Sequence, residues 1–417
     1  MSKTYVFMNR RIIGIDGSIQ YIYNKSTFLK SKGYKVIVLS VCSGKILVKS
    51  FEDYSKYIIP DMRFVPSLFR KSERDRIVDR ALSLLNDYSN DELIIESTSP
   101  VSALWGELIA KKLNCRHVYF HLMEKTTIRE DLRDFCRYKY ERGELAGITA
   151  KTVPLLLGDD TVQPIEISAY CNNVFADCED SFSAKLNPKA KYTIGSIGRL
   201  EKPYVPIFAD RLAQYFEKNQ DIQYNLIMIG GDGNGKAANH LHQVFDQCPN
   251  VNFIITDYIY PIPLSLINNI DLFISTAGSS GATYKLKKPT IKLHPITGIP
   301  IGIIGCDFKL REKTMYDAEP SFSIENCVER IISGDAKIVY EHTFDEENND
   351  AMSKEFERQL NLVLSNQANL CYYDTQKIGR IKTPFKSFHH VYAFLGHIIG
   401  GEGLRRIERL LMNKDFN

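Results

Sequence analysis

Two basic residues just past an apolar run, Arg199 and Lys202 in Ile197-Gly198-Arg199-Leu200-Glu201-Lys202, are the firmest candidates for chemistry in this sequence. Tyr192 to Ile197 reads as a strand, and residues beyond a strand's carboxyl end stand where open α/β sheets bind ligands. A guanidinium and an ammonium there suit a phosphate. Gly17 and Ser18 precede a helix and face a diphosphate in one reading; in the other, Gly17 only lets the chain turn. Gly230 and Gly231 close the run Tyr224 to Ile229, and Asp257 and Tyr258 follow the run Val251 to Ile255. Ser279, Ser280, Gly281 and Thr283 follow Asp271 to Ser275, where small hydroxyl residues and glycine leave backbone amides open to an anion. His121 ends the strand Arg116 to His121, as a base, a phosphate ligand or a structural hydrogen-bonder.

The elements that must hold these residues alternate between strand and helix. Tyr5 to Met8 is a strand, Ile19 to Lys32 a helix capped by Ser18 and stopped by Gly33, and Tyr34 to Val41 a second strand. Residues 69 to 88 form a charged helix, Glu92 to Glu96 a strand, and Ser97 to Pro100 caps a helix reaching Leu113. Ile128 to Glu144 reads as a helix with a solvated charged face, followed by short strands at Val153 to Leu157 and Pro164 to Ile167. Phe182 to Ala190, with Asn187-Pro188, is a polar crossing that suits a domain boundary. Beyond it the pattern repeats, with helices at Ile207 to Lys218 and His240 to Gln247, a short helix at Ile262 to Asn268, and a strand at Pro289 to Leu293. Ser279 to Thr283 reads as a loop with a helical turn after it. Ser323 caps a helix reaching Ile332, Asp345 to Asp350 reads as an acidic loop, and Ser353 to Leu364 as a helix. The expectation is an α/β chain of two Rossmann-like domains, 1–187 and 188–345, with residues 346–417 returning as helices to the first.

Bulk properties exclude several classes. A net charge of +3 over 417 residues gives no argument for nucleic acid. Nine scattered cysteines without a CxxC pair fit free thiols in a reducing cytoplasm. The amino terminus lacks the pattern of a signal peptide, and no apolar run is long enough to span a bilayer. Cytoplasmic folding is the expectation. Gly230 to Lys236 has P-loop spacing, but Ala237 stands where a hydroxyl should bind magnesium. His240 and His242 diverge on a helix, and Asp159-Asp160 beside Gly158 reads as a turn, so no metal is expected. Near the carboxyl end, Lys377, Arg380, Lys382 and Lys386 precede Phe388 to Ile399, and Arg405, Arg406 and Arg409 follow. This segment suits an anionic membrane surface, or a terminal helix packed on the first domain.

In order and spacing the elements resemble the GT-B fold glycosyltransferases, especially the retaining enzymes that build bacterial surface polysaccharides. Gly17-Ser18 with Gly33-Tyr34-Lys35-Val36 is similar to the family's opening loop and turn. Ile197 to Lys202 is similar to its "valine-glycine-arginine-leucine" motif, and Leu226 to Gly230 with Gly231 and Gly233 to its glycine-closed strand. Asn250 to Phe253 and Asp271 to Ser275 match the next two strands. The resemblance covers most of residues 10 to 332. It implies two domains facing across a cleft, with Arg199 and Lys202 on a donor diphosphate and the nucleobase near Thr256 to Tyr258. One feature departs: the paired glutamates that the family carries before the strand beginning at Pro289 are replaced by Ser279-Ser280-Gly281-Ala282-Thr283-Tyr284-Lys285.

The resemblance implies a metal-independent, hexosyltransferase-like enzyme with no cofactor. It would move a sugar from a nucleotide-diphosphate sugar to a saccharide or lipid-linked acceptor in surface polysaccharide synthesis. Arg199, Lys202 and His121 would then be the catalytic set. The membrane-facing reading of the tail places the protein peripherally on the inner membrane face. The missing glutamates support the alternative, an inactive GT-B partner that stabilises another glycosyltransferase.

Overall fold

The near-continuous apolar runs become strands covered on both faces, as parallel strands flanked by helices must be. In the computed structural model these are β1 (Lys3–Asn9), β2 (Tyr34–Ser40), β3 (Ser55–Ile58), β4 (Glu92–Ser97), β5 (Arg116–His121) and β6 (Leu145–Gly147). They form one parallel six-stranded sheet in the order β3-β2-β1-β4-β5-β6. The helices between and after them are α1 (Gly17–Ser31), α2 (Lys71–Leu85), α3 (Pro100–Leu113), α4 (Glu130–Glu141) and α5 (Thr152–Leu157). The structure describes residues 2–9, 15–40, 55–123, 130–171, 173–310, 319, 321–340, 345–365, 370–378, 394–396, 398–400, 403 and 406–407. The polar loop through Gly14 and the tail residues Arg380, Lys382, Lys386, Phe388 to Tyr392, Arg405 and Arg409 lie outside them.

A connecting stretch holds the short strand β7 (Phe175–Ala176), and then the architecture repeats. Its elements are β8 (Tyr192–Ile197), α6 (Tyr204–Lys218), β9 (Tyr224–Ile229), α7 (Lys236–Phe245) and β10 (Val251–Ile255). Next come β11 (Ile262–Pro263), which pairs with β7, α8 (Leu264–Asn268), β12 (Leu272–Ser275) and α9 (Ala277–Lys285). Last are β13 (Thr290–Leu293), β14 (Pro300–Ile303) and α10 (Ile324–Ile332). The sheet order is β10-β9-β8-β12-β13-β14, with only β13 and β14 paired antiparallel. In both halves the chain winds outward on one side of its first strand, then returns to the other. That reversal leaves a crevice between the carboxyl ends of β1 and β4, and of β8 and β12, the places where such sheets bind ligands.

The chain then returns to the first half. α11 (Asp345–Ser365) lies on α1: Gln359 Nε2 donates to the Ser168 carbonyl (3.0 Å), and its Oε1 accepts from Tyr21 Oη (2.8 Å) and Lys25 Nζ (2.9 Å). α12 (Thr375–Ile378) follows. The two halves touch through α1, where Tyr260 Oη donates to Asn24 Oδ1 (3.2 Å) and the Tyr23 and Tyr260 rings meet edge-on at 4.9 Å.

Several expectations are corrected. Val153 to Leu157 is helix, not strand: Gly158 closes it in the left-handed region, and Val153, Leu156 and Leu157 share a core with Phe135 and Cys136 of α4. Pro164 to Ile167 contributes only a single bridge between Glu166 and Gly147. Asp345 to Asp350 is the first turn and a half of α11, where acidic residues favour a helix's positive end. Ser279 to Thr283 is not a loop, since α9 runs from Ala277 to Lys285. The charged α4 is not simply a solvated face, because Lys139 is buried between Glu107 (2.6 Å) and Glu144 (2.8 Å).

Candidate functional site

A helix that begins at the end of a parallel strand points unsatisfied amides and a partial positive charge at the ligand edge. What fills each of those helix starts separates one from another. At α1 the cap is Asp16, not the expected Ser18: its Oδ1 accepts from the Ile19 amide (3.0 Å) and from Ser18 Oγ (2.7 Å). Asn9 at the end of β1 donates to Ser18 (3.4 Å) and accepts from Thr98 just past β4 (2.7 Å), so polar side chains lace the first crevice together. At the start of α1, beside Gly17 and Ser18, the Asp16 carboxylate thus takes the Ile19 amide and the Ser18 hydroxyl. At α7, Asp232 accepts from the amides of Gly235 (3.0 Å) and Ala237 (2.6 Å), so the P-loop-like run is filled by its own carboxylate.

The second crevice differs. Neither α6 nor α9, the helices that start beside it, has a side chain capping its first amides. Thr276, which has the extended backbone of an N-cap, donates its hydroxyl instead to the Leu293 carbonyl (2.9 Å). Ser275 Oγ accepts from the Ile197 amide (3.1 Å), joining β12 to β8 at the crevice floor. Ala277 and Asp257, both at strand ends of this sheet, take left-handed backbone with φ of 51° and 56°. Strain at non-glycine residues concentrates at ligand sites.

Arg199 stands beside this crevice, its side chain 28% exposed and paired with Glu201 at 3.3 Å. Tyr204, the first residue of α6, packs under the loop: a Cβ on Gly198 would come within 3.0 Å of its hydroxyl. Burial pushes that phenol up to about 12, so it stays protonated. Lys202 and Lys236 line an open pocket of about 290 Å³ with Leu200, Glu201, Pro203 and His240. Gly230 fits the site by absence of a side chain: its φ is 151°, and a Cβ would come 2.0 Å from the Gly198 carbonyl oxygen. The Gly198 amide donates to the Ile229 carbonyl (3.1 Å) and the Leu200 amide to the Gly231 carbonyl (3.1 Å). Gly231 lies against the Tyr258 ring. The two glycines thus hold the Arg199 loop in place.

The serine-rich segment divides. Ser280 Oγ donates to the Ala277 carbonyl (2.8 Å), and the buried Thr283 bonds to the Ser279 carbonyl (3.1 Å) and to the Thr290 hydroxyl (3.0 Å), so both face inward. Gly281 lies beside Leu310. Ser279 faces the connecting stretch instead: Asn173 Nδ2 donates to its hydroxyl (3.2 Å), and Asn173 Oδ1 accepts from Gln20 of α1 (2.7 Å). His121 does not open onto a cleft. It is 1% exposed, bonded through Nδ1 to Tyr119 Oη, and burial lowers its pKa to about 4, which holds it neutral.

Two buried polar networks in the first half carry no signature in the sequence. Lys25 and Glu96 form an ion pair at 2.6 Å with no solvent exposure, and both Tyr5 and Tyr21 donate to that carboxylate. Below α3, Ser97 Oγ lies 3.0 Å from His117 Nε2, and His117 Nδ1 lies 2.7 Å from Glu107 Oε2. This is the spacing of a nucleophile relay. It is closed to substrate: all three residues are buried, and a Cβ on Gly106 would come 2.5 Å from both Ser97 Oγ and His117 Nε2. Among the described residues no cluster of His, Cys, Asp or Glu is suited to a metal ion, and no helix is long and apolar enough to cross a membrane.

No protein-family profile matches the sequence, and no curated protein matches it. Solved structures do. A glycosyltransferase from Rickettsia africae ESF-5 superposes with a TM-score of 0.50 at 14% identity, covering 87% of this chain and 96% of that one. HepE of Anabaena in complex with UDP and glucose superposes with a TM-score of 0.50 at 12% identity, covering 90% of this chain and 96% of that one. The chain has the GT-B fold, in a divergent form.

Proposed function

We propose that this chain is a glycosyltransferase that moves a sugar from a nucleotide-diphosphate sugar to a saccharide or lipid-linked saccharide in surface polysaccharide synthesis. The observation that carries the reading is the second crevice, where Arg199 and two helix starts without side-chain caps converge while the first crevice is closed by Asp16, Asn9 and Thr98. The fold shared with HepE, which was solved with UDP and glucose, supports a nucleotide donor. Transfer requires charge stabilisation on the departing diphosphate more than a protein nucleophile. Arg199 supplies a planar cation, Lys202 a second positive charge from the adjoining pocket, and the α6 and α9 amides fixed dipoles that need no reorganisation. Such groups suffice without a metal ion. Asp257 and Tyr258, at the end of β10, border the nucleoside side of the crevice.

A panel of UDP-, GDP-, ADP- and CMP-sugars, screened by thermal shift and then by turnover, tests the proposal. The expected result is one nucleotide class that raises the melting temperature and whose sugar is transferred. No saturable binding by any of them would overturn it. One observation favours the second reading, a non-catalytic partner subunit: the inward hydroxyls of Ser280 and Thr283 leave α9 without any carboxylate in place of the missing glutamates. Under that reading a nucleotide binds without turnover, or only a partner protein binds.

A further inference from the structure

The carboxyl-terminal segment has two faces, and they do different things. Helical positions 394–396 and 398–400 place Phe394, Leu395, Ile398 and Ile399 together at i, i+1, i+4 and i+5, while Gly396 and Gly400 lie on the opposite side. The glycine side is buried and meets the start of α2. Arg70 Nη2 donates to the Ile398 carbonyl (2.5 Å), and Gly400, whose φ of 74° favours glycine, lies against Glu73, 2.7 Å from its Oε1 for a Cβ placed there. The apolar side faces solvent, with Phe394 48%, Leu395 37%, Ile398 53% and Ile399 41% exposed. A terminal helix serving only to cover the first domain would turn these four inward. The segment is docked by its glycines and displays its large side chains.

Charge near that face is mixed and leans basic, with Glu73 half-buried beside Gly400. Arg70 and Lys71 are exposed at the start of α2, and Arg406 is exposed beyond the glycines. From 377 to 409 the sequence carries seven Lys and Arg against two Glu. An outward apolar stripe next to the basic start of α2, where Arg70 reaches the Ile398 carbonyl, matches an anionic bilayer, where the side chains enter the acyl boundary and the charges meet lipid headgroups. We propose that the tail and the start of α2 form one membrane-docking surface, with Phe394, Leu395, Ile398 and Ile399 as the inserting residues and Lys71 and Arg406 as headgroup contacts. The surface lies on the first half and is built without any residue of the second crevice, so it stands or falls apart from the donor reading. It would bring a lipid-linked acceptor to the half of the protein that does not hold the donor.

Flotation of the full chain on vesicles tests this, using phosphatidylcholine alone and phosphatidylcholine mixed with phosphatidylglycerol at about two to one. The expected result is flotation with the mixed vesicles only, weakened by added salt. Phe394→Ser combined with Ile398→Ser should reduce binding roughly tenfold or more, and Lys71→Ala combined with Arg406→Ala about fivefold for each charge removed. Both double variants should keep the wild-type melting temperature and any nucleotide-induced shift, which separates this surface from the donor site. Failure of the full chain to float would overturn the proposal, as would equal flotation of the Phe394/Ile398 variant. A change from dimer to monomer in that variant, without vesicle binding by the wild type, would reassign the face to a second copy of the chain.

Discussion

The two halves share a strand order and differ in what stands at the reversal of that order. In the first, Asn9 and Thr98 bond across the crevice and Asp16 occupies the start of α1. In the second, Ser275 ties the floor, Thr276 turns its hydroxyl away, and α6 and α9 begin without side-chain caps beside Arg199. One fold therefore yields a self-satisfied edge and an edge with electrostatic capacity to spare. Topology alone marks both crevices as ligand sites; only the capping side chains choose between them. The buried ion networks are unevenly shared in the same way. Lys25–Glu96 and Glu107–Lys139 both belong to the first half, where they fix α1, α3 and α4 against the sheet.

The contrast can be broken in order of size. Lys25→Met leaves Glu96 as a buried, unpaired charge and should destabilise the protein by about 3–5 kcal/mol; calorimetric melting checks this, and a loss under 1 kcal/mol would mean the pair is not the anchor it looks to be. Arg199→Ala should lower kcat/KM for transfer by roughly 100-fold or more while leaving the melting temperature near that of the wild type. Acid should act on the first half first. The Lys139 ammonium and the His117 ring hold the Glu107 carboxyl at about 2, below its ordinary value, despite the opposing effect of burial. Its contribution, on the order of 3 kcal/mol, is complete above the unfolded carboxylate range and is lost as pH falls through about 2. His117, lowered by burial, pulls in the same direction, since the unfolded chain takes up its proton first. Urea unfolding between pH 7 and pH 3 should show this decline, and Glu107→Gln should flatten it. The smallest effect belongs to the caps: Asp16→Ala and Asp232→Ala should each cost about 1 kcal/mol in stability without weakening nucleotide binding.

The sequence made the strands legible because a parallel strand covered on both faces must be apolar along its length, and the glycines at 33, 158 and 230 punctuate it as left-handed or close-packed positions require. Helix and strand could not be told apart at Val153 to Leu157, where a short apolar run carries no period and tertiary packing on α4 decides. Ser279 to Thr283 reads as a loop because glycine and hydroxyl residues favour loops; in the helix that forms, Ser280 and Thr283 satisfy their hydroxyls on carbonyls of the preceding turn. Arg199 is legible as a candidate because its position follows closely from the strand before it. Asp16 and Ser18 are both good caps, and only the backbone says which residue is half inside the helix. The buried networks were invisible for a plainer reason: Lys25 and Glu96 lie 71 residues apart, and nothing in either neighbourhood announces the other.

Titration calorimetry with UDP, and with GDP and ADP in parallel, on the wild type, Arg199→Ala and Asp16→Ala tests the central claim most directly. The expected result is saturable binding of one nucleotide diphosphate, at least about tenfold weaker in Arg199→Ala and unchanged in Asp16→Ala. Binding that survives intact in Arg199→Ala but changes in Asp16→Ala would contradict it, because the anion would then belong to the first crevice.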